Sequence, residues 1–169
     1  MALREITATL GDITRVKVDA IVNAANSALI EGGGVDHAIH EAAGRAELDA
    51  ACAALGGCDP GDAKATTGFH LPARWIVHTV GPIWHGGSSG EAEVLASCYR
   101  RSLDTANELG ARSLPFPAIA TGVFGFPEGL AAEIAVNALR SHEAPVVTLA
   151  ILVAFDATSF RVLEDALGR

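Results

Sequence analysis

The segment Asp19-Ala20-Ile21-Val22-Asn23-Ala24-Ala25-Asn26, which leads into Gly32-Gly33-Gly34-Val35-Asp36, determines the expected architecture. Its residues 20–22 are apolar throughout, as is typical of a central strand that is buried on both faces. Two asparagines come directly after this strand, and their amides need hydrogen-bond partners once the backbone turns inward. Three glycines then open a helix predicted over 35–43, where close backbone approach and unpaired N–H groups suit an anion. The segment therefore predicts a buried strand, an anion-binding turn and a helix.

Segments of the same kinds recur along the rest of the chain. Alternating apolar and polar residues over 5–10 predict a strand with one covered face. Further apolar runs and helical spacings predict central strands at 75–77 and 146–155, and helices over 95–109, from Pro127 onward and after Asp156. Pro127 is expected at the first helical position and Asp156 at the cap. Strands that alternate with helices predict an α/β sandwich with a largely parallel sheet, which binds ligands at the carboxyl ends of its strands.

The composition excludes several classes of protein. The chain has 169 residues, which suits a single domain over 1–169, and half of them are hydrophobic, unlike those of a disordered chain. Twelve basic and 20 acidic residues give a net charge of −8, which argues against strong binding of duplex nucleic acid. An acidic protein can still bind a nucleotide if backbone amides hold the phosphates.

The start of the chain and the cysteines predict a cytoplasmic protein. Charged residues follow Met1 closely, so no secretory signal is expected, and the apolar run 146–155 is about half the length that crosses a bilayer. The three cysteines lack CxxC spacing, which favours buried free thiols over a disulfide framework or a zinc site. We therefore also expect no contact with a membrane.

Three further loops follow predicted strands. In Gly11-Asp12-Ile13-Thr14 the aspartate could accept a hydrogen bond from an exocyclic amine, although an Asp in a turn more often holds that turn itself. The loop 117–127 turns on glycines and carries two aromatics that we expect to be exposed, which outlines a phosphate-binding loop without a Walker A lysine. Phe155 could lie against a nucleobase, although an ordinary core position is also open to it.

Two patterns are interpreted as coincidental. Gly86-Gly87-Ser88-Ser89-Gly90 matches the G-x-S-x-G nucleophile pattern, but it lies in a long loop and not on a tight strand-to-helix elbow. His37, His40 and Glu41 share one helix without HExxH spacing, so we interpret the histidines as a pair on the helix surface and expect no metal. Asp36, in the first turn of that helix, would stabilise the helix N-terminus if it had no other role.

These segments together resemble the macrodomain family, and in particular the MacroD-type ADP-ribosyl hydrolases. The matching segments cover almost the whole chain in order, at 11–14, 19–26, 32–44, 71–84 and 113–127. The resemblance implies a three-layer α/β/α sandwich around a central mixed, largely parallel sheet. It also implies that ADP-ribose binds in a cleft over the strand ends and that the protein needs no cofactor.

The resemblance further implies roles for residues that bind the adenosine and diphosphate groups. Asp12 would accept a hydrogen bond from the adenine amino group, with the backbone of Ile13 beside it. Phe155 would lie along the adenine ring, with Asp156 nearby. Two loops would contact the diphosphate, chiefly through main-chain N–H groups, and they contribute Gly32, Gly33, Gly34, Val35, Thr121, Gly122, Val123, Phe124, Gly125 and Phe126.

At the distal ribose the resemblance implies hydrolysis of an ester. Phe124 would cover this ribose, Asn26 would fix its hydroxyls, and Asp36 would orient the attacking water. The leaving group would be an acidic side chain of an ADP-ribosylated protein, or acetate from O-acetyl-ADP-ribose. A non-catalytic ADP-ribose-binding module is the alternative, and a nucleotide-binding α/β protein of another class is a third hypothesis. We expect a monomer, and the Ala and Gly content suggests a bacterium with a GC-rich genome.

Two positions depart from the family pattern. Glu31 stands where the pattern usually continues with glycine, and its carboxylate could alter the loop or repel phosphate. Ala120 stands where the family commonly has serine, so one polar contact near the diphosphate is expected to be missing.

Overall fold

The structure, a computed structural model, describes residues 3–169. Met1, from which the expectation of no secretory signal in part derives, lies outside them. The described residues form six strands: β1 Glu5–Leu10, β2 Ala20–Ala25, β3 Ala63–Thr67, β4 Trp75–Val80, β5 Ser113–Phe116 and β6 Leu149–Ala154. They also form five α-helices: α1 Gly34–Ala43, α2 Arg45–Leu55, α3 Glu91–Leu109, α4 Glu128–Ser141 and α5 Ala157–Leu167, together with a short 3-10 helix at Ile13–Arg15.

The strands form two hydrogen-bonded groups of three that lie side by side. In the first group β6 lies between β1 and β5, and all three strands are parallel. In the second group β4 lies between β2, which is parallel to it, and β3, which is antiparallel. β2 contacts β5, which brings the two groups together. The predicted mixed, largely parallel sheet is therefore confirmed.

Both faces of the central strands are buried, as predicted. On one face Ile21 and Ile76 pack with apolar residues of α1 and α2. On the other face Val22 and Val77 pack with apolar residues of α3 and α4. Each fully buried side chain of this kind contributes about 1.5–3 kcal/mol relative to an exposed one. Helices on both faces of the sheet complete the predicted three-layer α/β/α sandwich.

Several boundaries differ from the prediction. β2 continues to Ala25, so Asn23 lies inside the strand and pairs in register with His78 of β4. α4 begins at Glu128 with Pro127 as its N-cap, one position before the place predicted for the proline. β6 begins only at Leu149, since the preceding apolar residues lead into the sheet from a loop.

The predictions about the cysteines and the α5 cap are confirmed. Cys52, Cys58 and Cys98 are free and buried. Asp156 caps α5 by accepting a hydrogen bond of 2.8 Å from the N–H of Ser159. Within residues 3–169, none of the helices combines the length and apolarity that a membrane crossing requires.

Candidate functional site

A cavity of about 470 Å³ lies beside the carboxyl ends of β1, β5 and β6. Its walls come from the loop after β1, the start of α1, the loop after β5, one side of α4 and of α5, and the end of β6 with the residue that follows it. Among the described residues that line it there is no lysine or arginine, and the charged ones are Asp12 and Glu128. An anion in this cavity would therefore depend on main-chain N–H groups for its binding.

The cavity brings together about half of the predicted site residues. Those that line it are Asp12, Ile13, Gly34, Val35, Thr121, Gly122 and Phe155. Those predicted residues that do not line it are Asn26, Gly32, Gly33, Asp36, Val123, Phe124, Gly125, Phe126 and Asp156.

Sequence reasoning missed the part of the wall that comes from α4 and α5. The additional lining residues there are Glu128, Ala131, Ala132, Ala135, Ser159, Val162 and Leu163. The α4 members follow one another at spacings of three, one and three residues, so they share one helix face. Ala131, Ala132 and Ala135 place small side chains on this face, directly after the glycine loop. This pattern is the signal in the sequence that could have identified the α4 part of the wall.

At the cavity Asp12 holds its own turn through one carboxylate oxygen and pairs with an arginine through the other. Its Oδ1 accepts hydrogen bonds from the N–H of Thr14 at 2.9 Å and from Thr14 Oγ1 at 2.7 Å. These bonds lower the pKa of Asp12, so the carboxylate is ionised at neutral pH. Its Oδ2 lies 3.5 Å from Arg15 Nε in an exposed ion pair.

Phe155 is not a core residue. Its side chain is 92% exposed at the end of β6, beside the cavity. The alternative of an ordinary core position is therefore wrong, and the exposed ring offers an apolar face to a planar ligand.

The glycine run at the start of α1 presents unpaired N–H groups. Gly33 is the N-cap and has no side chain that could bond them, so the first N–H groups of the helix lack an intrahelical acceptor. Gly34 has φ +61°, a left-handed conformation that favours glycine. The N–H of Gly32 is already engaged, because it donates to Asp36 Oδ2 at 2.9 Å.

The loop after β5 uses part of its amides to hold its own shape. The N–H of Gly125 donates to the carbonyl of Gly122 at 3.0 Å, and that of Phe126 donates to the carbonyl of Ala120 at 2.9 Å. Among the described residues, the N–H groups of Gly122, Val123 and Phe124 have no acceptor. These three amides remain for a ligand, as does that of the cavity-lining Thr121, for which the described residues likewise offer no acceptor.

The two aromatics of this loop differ in exposure. Phe126 is 2% exposed and packs against Trp84 in a tilted arrangement with 4.7 Å between the ring centroids, so the expectation that it is exposed is wrong. Phe124 is half-buried, and its carbonyl accepts a hydrogen bond of 2.8 Å from the N–H of Trp84. Trp84 thus joins the loop after β4 to the loop after β5.

The carboxylate of Asp36 is buried and fully engaged. Its Oδ1 accepts from Asn23 Nδ2 at 2.8 Å and lies 3.1 Å from His40 Nδ1. Its Oδ2 accepts from the N–H of Gly32. His40 is 1% exposed, so its interpretation as a surface residue is wrong, while His37 is exposed as expected.

Asn26 holds the loop that precedes the glycine run. Its Nδ2 donates to the carbonyl of Ile30 at 2.6 Å, and its Oδ1 accepts from the N–H of Ile30 at 3.2 Å. A Cβ atom on Gly32 would lie 3.3 Å from Asp36 Oδ2 and 3.5 Å from Asn26 Nδ2. The absence of a side chain at Gly32 therefore leaves open the space between the two polar groups.

A buried polar line runs from Asp36 across the sheet. Asn23 Nδ2 lies 3.1 Å from His78 Nδ1, and His78 Nε2 lies 2.9 Å from Thr66 Oγ1. Burial lowers the pKa of His78 to about 3, so this ring is neutral at physiological pH.

The structure explains how Glu31, the first departure from the family pattern, is accommodated. Glu31 Oε1 accepts from Arg45 Nε at 2.5 Å, and its Oε2 lies 2.8 Å from His37 Nδ1. The bond from Arg45 lowers the pKa of Glu31, whose negative charge is thus compensated locally. Ala120 has φ +67°, a left-handed conformation that is strained for alanine.

The segment 86–90 is a loop that leads into α3, as predicted. Glu91, at the start of the helix, accepts hydrogen bonds from the N–H groups of His85, Gly87 and Ser89 at 2.9, 2.9 and 2.6 Å. These backbone bonds lower the pKa of Glu91 to about 2. In residues 3–169, no group of three or more His, Cys, Asp or Glu side chains could hold a metal ion.

Comparison with known proteins gives consistent matches. A macro domain protein of Ralstonia nicotianae is 54% identical over 163 residues, which cover 96% of this chain and 94% of that protein. The ADP-ribose glycohydrolase MACROD1 of Bos taurus is 55% identical over 131 residues, which cover 77% of this chain but 40% of that protein.

Solved structures also match nearly the whole chain. The crystal structure of a Trypanosoma brucei macrodomain in complex with ADP-ribose matches with a TM-score of 0.88 at 36% identity, covering 96% of this chain and 69% of that one. A family model described as Macro domain matches residues 22–135, well over half of the sequence. The chain therefore belongs to the macro domain family.

Proposed function

We propose that this protein binds ADP-ribose in the cavity and hydrolyses an ester at the distal ribose. The observation that carries the proposal is that the start of α1 and the glycine loop after β5, which both present N–H groups without acceptors, line one cavity together with an exposed Phe155. Asn26 and Asp36 flank Gly32, two residues before the cavity-lining Gly34. The substrates are proteins that carry ADP-ribose on an acidic side chain, or O-acetyl-ADP-ribose.

The adenosine group fits the end that Asp12 and Phe155 form. Asp12 is ionised, and its Oδ2, which otherwise faces only the exposed Arg15, can accept from the adenine amino group, with the Ile13 backbone beside it. The exposed ring of Phe155 supplies an apolar face for the base, and burial of that face would contribute to affinity.

The diphosphate fits the two sets of free amides. Oriented N–H dipoles at a helix start and in a glycine loop stabilise anions without a basic side chain. The N–H groups of Gly34 and Val35 supply the first set, and those of Gly122, Val123 and Phe124 the second. Net charge of −8 lowers the rate of encounter with an anion but does not prevent this local binding.

The distal ribose fits the space beside Gly32. This space lies between Asp36 Oδ2 and Asn26 Nδ2, at distances that a hydroxyl group or a water molecule can bridge. We assign to Asp36 the orientation of the attacking water and to Asn26 the orientation of the ribose hydroxyls. The similarity to a protein named ADP-ribose glycohydrolase supports a hydrolytic reaction.

The experiment combines hydrolysis assays on three substrates with a calorimetric measurement of ADP-ribose binding. The purified protein is incubated with a protein ADP-ribosylated on glutamate, one ADP-ribosylated on serine, and O-acetyl-ADP-ribose, and cleavage of each ester or O-glycosidic bond is followed. We expect the protein to bind free ADP-ribose and to cleave one or both of the ester substrates. Absence of ADP-ribose binding would contradict the whole proposal.

A non-catalytic ADP-ribose-binding module is the second candidate, and one observation favours it. The carboxylate of Asp36 belongs to a residue only 4% exposed, and both of its oxygens already accept hydrogen bonds. A group in this state can hold the glycine loop without activating water. Tight binding of ADP-ribose with no turnover of any of the three substrates would establish this candidate.

A further inference from the structure

We infer that His78 is a positioning residue, which fixes the amide of Asn23 so that it donates to the carboxylate of Asp36. The inference rests on the proposed hydrolytic function, since it concerns how Asp36 is held in place for that reaction. His78 lies on β4, which neighbours β2, and it is paired in register with Asn23 of β2. None of the atoms of His78 needs to contact a substrate for this role.

The proton arrangement along this line follows from the donors and acceptors. Asn23 Nδ2 carries two hydrogens and lies 2.8 Å from Asp36 Oδ1 and 3.1 Å from His78 Nδ1. Both contacts are satisfied if the amide nitrogen donates to each, so His78 Nδ1 must be unprotonated and accept. The ring then carries its proton on Nε2.

Thr66 stabilises this tautomer from the other side. Its Oγ1 lies 2.9 Å from His78 Nε2 and donates its own hydrogen to the carbonyl of Thr67 at 3.1 Å. The hydroxyl oxygen is therefore left to accept the N–H of the ring. Because His78 is wholly buried, its ring stays neutral, and a second ring proton that would repel the Asn23 amide is disfavoured.

The opposite orientation of the amide would disturb Asp36. If Asn23 turned over, its Oδ1 would face Asp36 Oδ1, and two acceptor oxygens at that distance repel each other. Among the described residues, Asn23 Oδ1 is buried and has no hydrogen-bond partner. This orientation leaves the oxygen unsatisfied, but it is favoured because the nitrogen donates to both of its neighbours.

Two substitutions of similar size separate this role from general packing. His78→Asn keeps an acceptor oxygen near the position of Nδ1, where it can accept from Asn23. His78→Gln instead carries its polar atoms near the position of Nε2 and leaves Asn23 without its acceptor. Both variants lose the packing and the hydrogen bonds of the buried imidazole ring, so we expect both to have a lowered melting temperature.

The test measures kcat with saturating O-acetyl-ADP-ribose, the Kd for ADP-ribose and the melting temperature of the wild type and both variants. We expect His78→Gln to lose about tenfold to a hundredfold in kcat, as for a reacting group displaced by a fraction of an ångström to one ångström. We expect His78→Asn to keep most of kcat, and both variants to keep the Kd within a few fold. Equal kcat in the two variants would overturn the inference.

A second measurement does not depend on catalysis or on the variants. Nitrogen-15 NMR of the wild-type protein reports the tautomer of His78 directly, and we expect a protonated Nε2 and an unprotonated Nδ1 at pH 7. A proton on Nδ1 would overturn the inference even if the protein hydrolyses esters. Conversely, absence of turnover with the expected tautomer would contradict the proposed hydrolysis and leave the positioning of Asn23 and Asp36 supported.

Discussion

The carboxylate of Asp36 accepts a hydrogen bond of 2.9 Å from the N–H of Gly32, so the proposed catalytic side chain also holds the glycine run. We predict that Asp36→Ala lowers kcat by about 10²–10⁴-fold, the usual contribution of general-base positioning. The lost bond to Gly32 weakens ADP-ribose binding as well, by up to about a hundredfold, because a hydrogen bond to a carboxylate contributes about 1.5–3 kcal/mol. Single-turnover kinetics and calorimetry measure the two effects separately.

Glu41→Ala is the matched control for that substitution, because Glu41 is an exposed acid on the same helix. We expect its kcat and Kd to equal those of the wild type. A wild-type kcat in Asp36→Ala would instead contradict the role assigned to Asp36 in the reaction.

Gly32→Ala tests the space between Asp36 and Asn26. The new methyl group would lie 3.3 Å from Asp36 Oδ2 and 3.5 Å from Asn26 Nδ2, where we place the reacting end of the substrate. We predict a loss of at least about tenfold in kcat/KM, with a smaller change in the Kd for ADP, which lacks the distal ribose. Gly33→Ala is the control, since a Cβ there meets nothing within 4 Å.

Gly122→Glu tests the second set of amides. A Cβ at Gly122 meets nothing within 4 Å, so the chain accepts a side chain there, but a carboxylate would compete with the diphosphate. We predict that calorimetry detects no ADP-ribose binding by Gly122→Glu, while Gly122→Ala binds within a few fold of the wild type. Equal affinity of the two variants would contradict the assignment of this loop.

Arg45→Ala tests whether compensation of Glu31 matters for anion binding. Without the guanidinium, the charge of Glu31 stands uncompensated beside the glycine run, so ADP-ribose affinity should fall by about twofold to fivefold at low salt. The double variant Arg45→Ala with Glu31→Gln should recover the wild-type Kd. A loss that the second substitution does not reverse would point to a structural effect of Arg45.

Stability should fall on mild acidification because of His78. Its pKa is about 3 in the folded protein and 6.5 for the free side chain, so the unfolded chain binds the extra proton between these values. The free energy of unfolding therefore decreases as the pH falls below 6.5, by up to about 1.4 kcal/mol per pH unit. Urea titrations between pH 7 and 5 measure the slope, which should be smaller in His78→Asn. An identical slope in that variant would assign the effect to another group.

The sequence predicted the central strands and the glycine loops because their signals are local. The apolar residues at 20–22 and 75–77 can be satisfied only by burial on both faces, and they lie in β2 and β4. β3 was not predicted, since Ala63–Thr67 is largely polar and becomes a strand only by pairing with β4. α2 was missed for a related reason, because its alanines give a weak apolar periodicity.

The connections within the candidate site depend on tertiary structure, which local patterns do not contain. Asn23 and His78 are 55 residues apart in the sequence and meet only because of the register between β2 and β4. The contact of His78 with Thr66 likewise depends on the pairing of neighbouring strands. Which amides are free was also beyond the sequence, since the engagement of the Gly125 and Phe126 N–H groups follows from the shape of the loop.

The burial of every cysteine has a practical consequence for spectroscopy. Burial raises the pKa of Cys52 and of Cys58 to about 11, and it also raises the pKa of Cys98, so thiolates are scarce at neutral pH. Maleimide reagents should therefore leave the native protein almost untouched. A cysteine substituted for Val123, whose side chain is fully exposed beside the amides of the second loop, would take up a fluorophore selectively and report nucleotide arrival in real time.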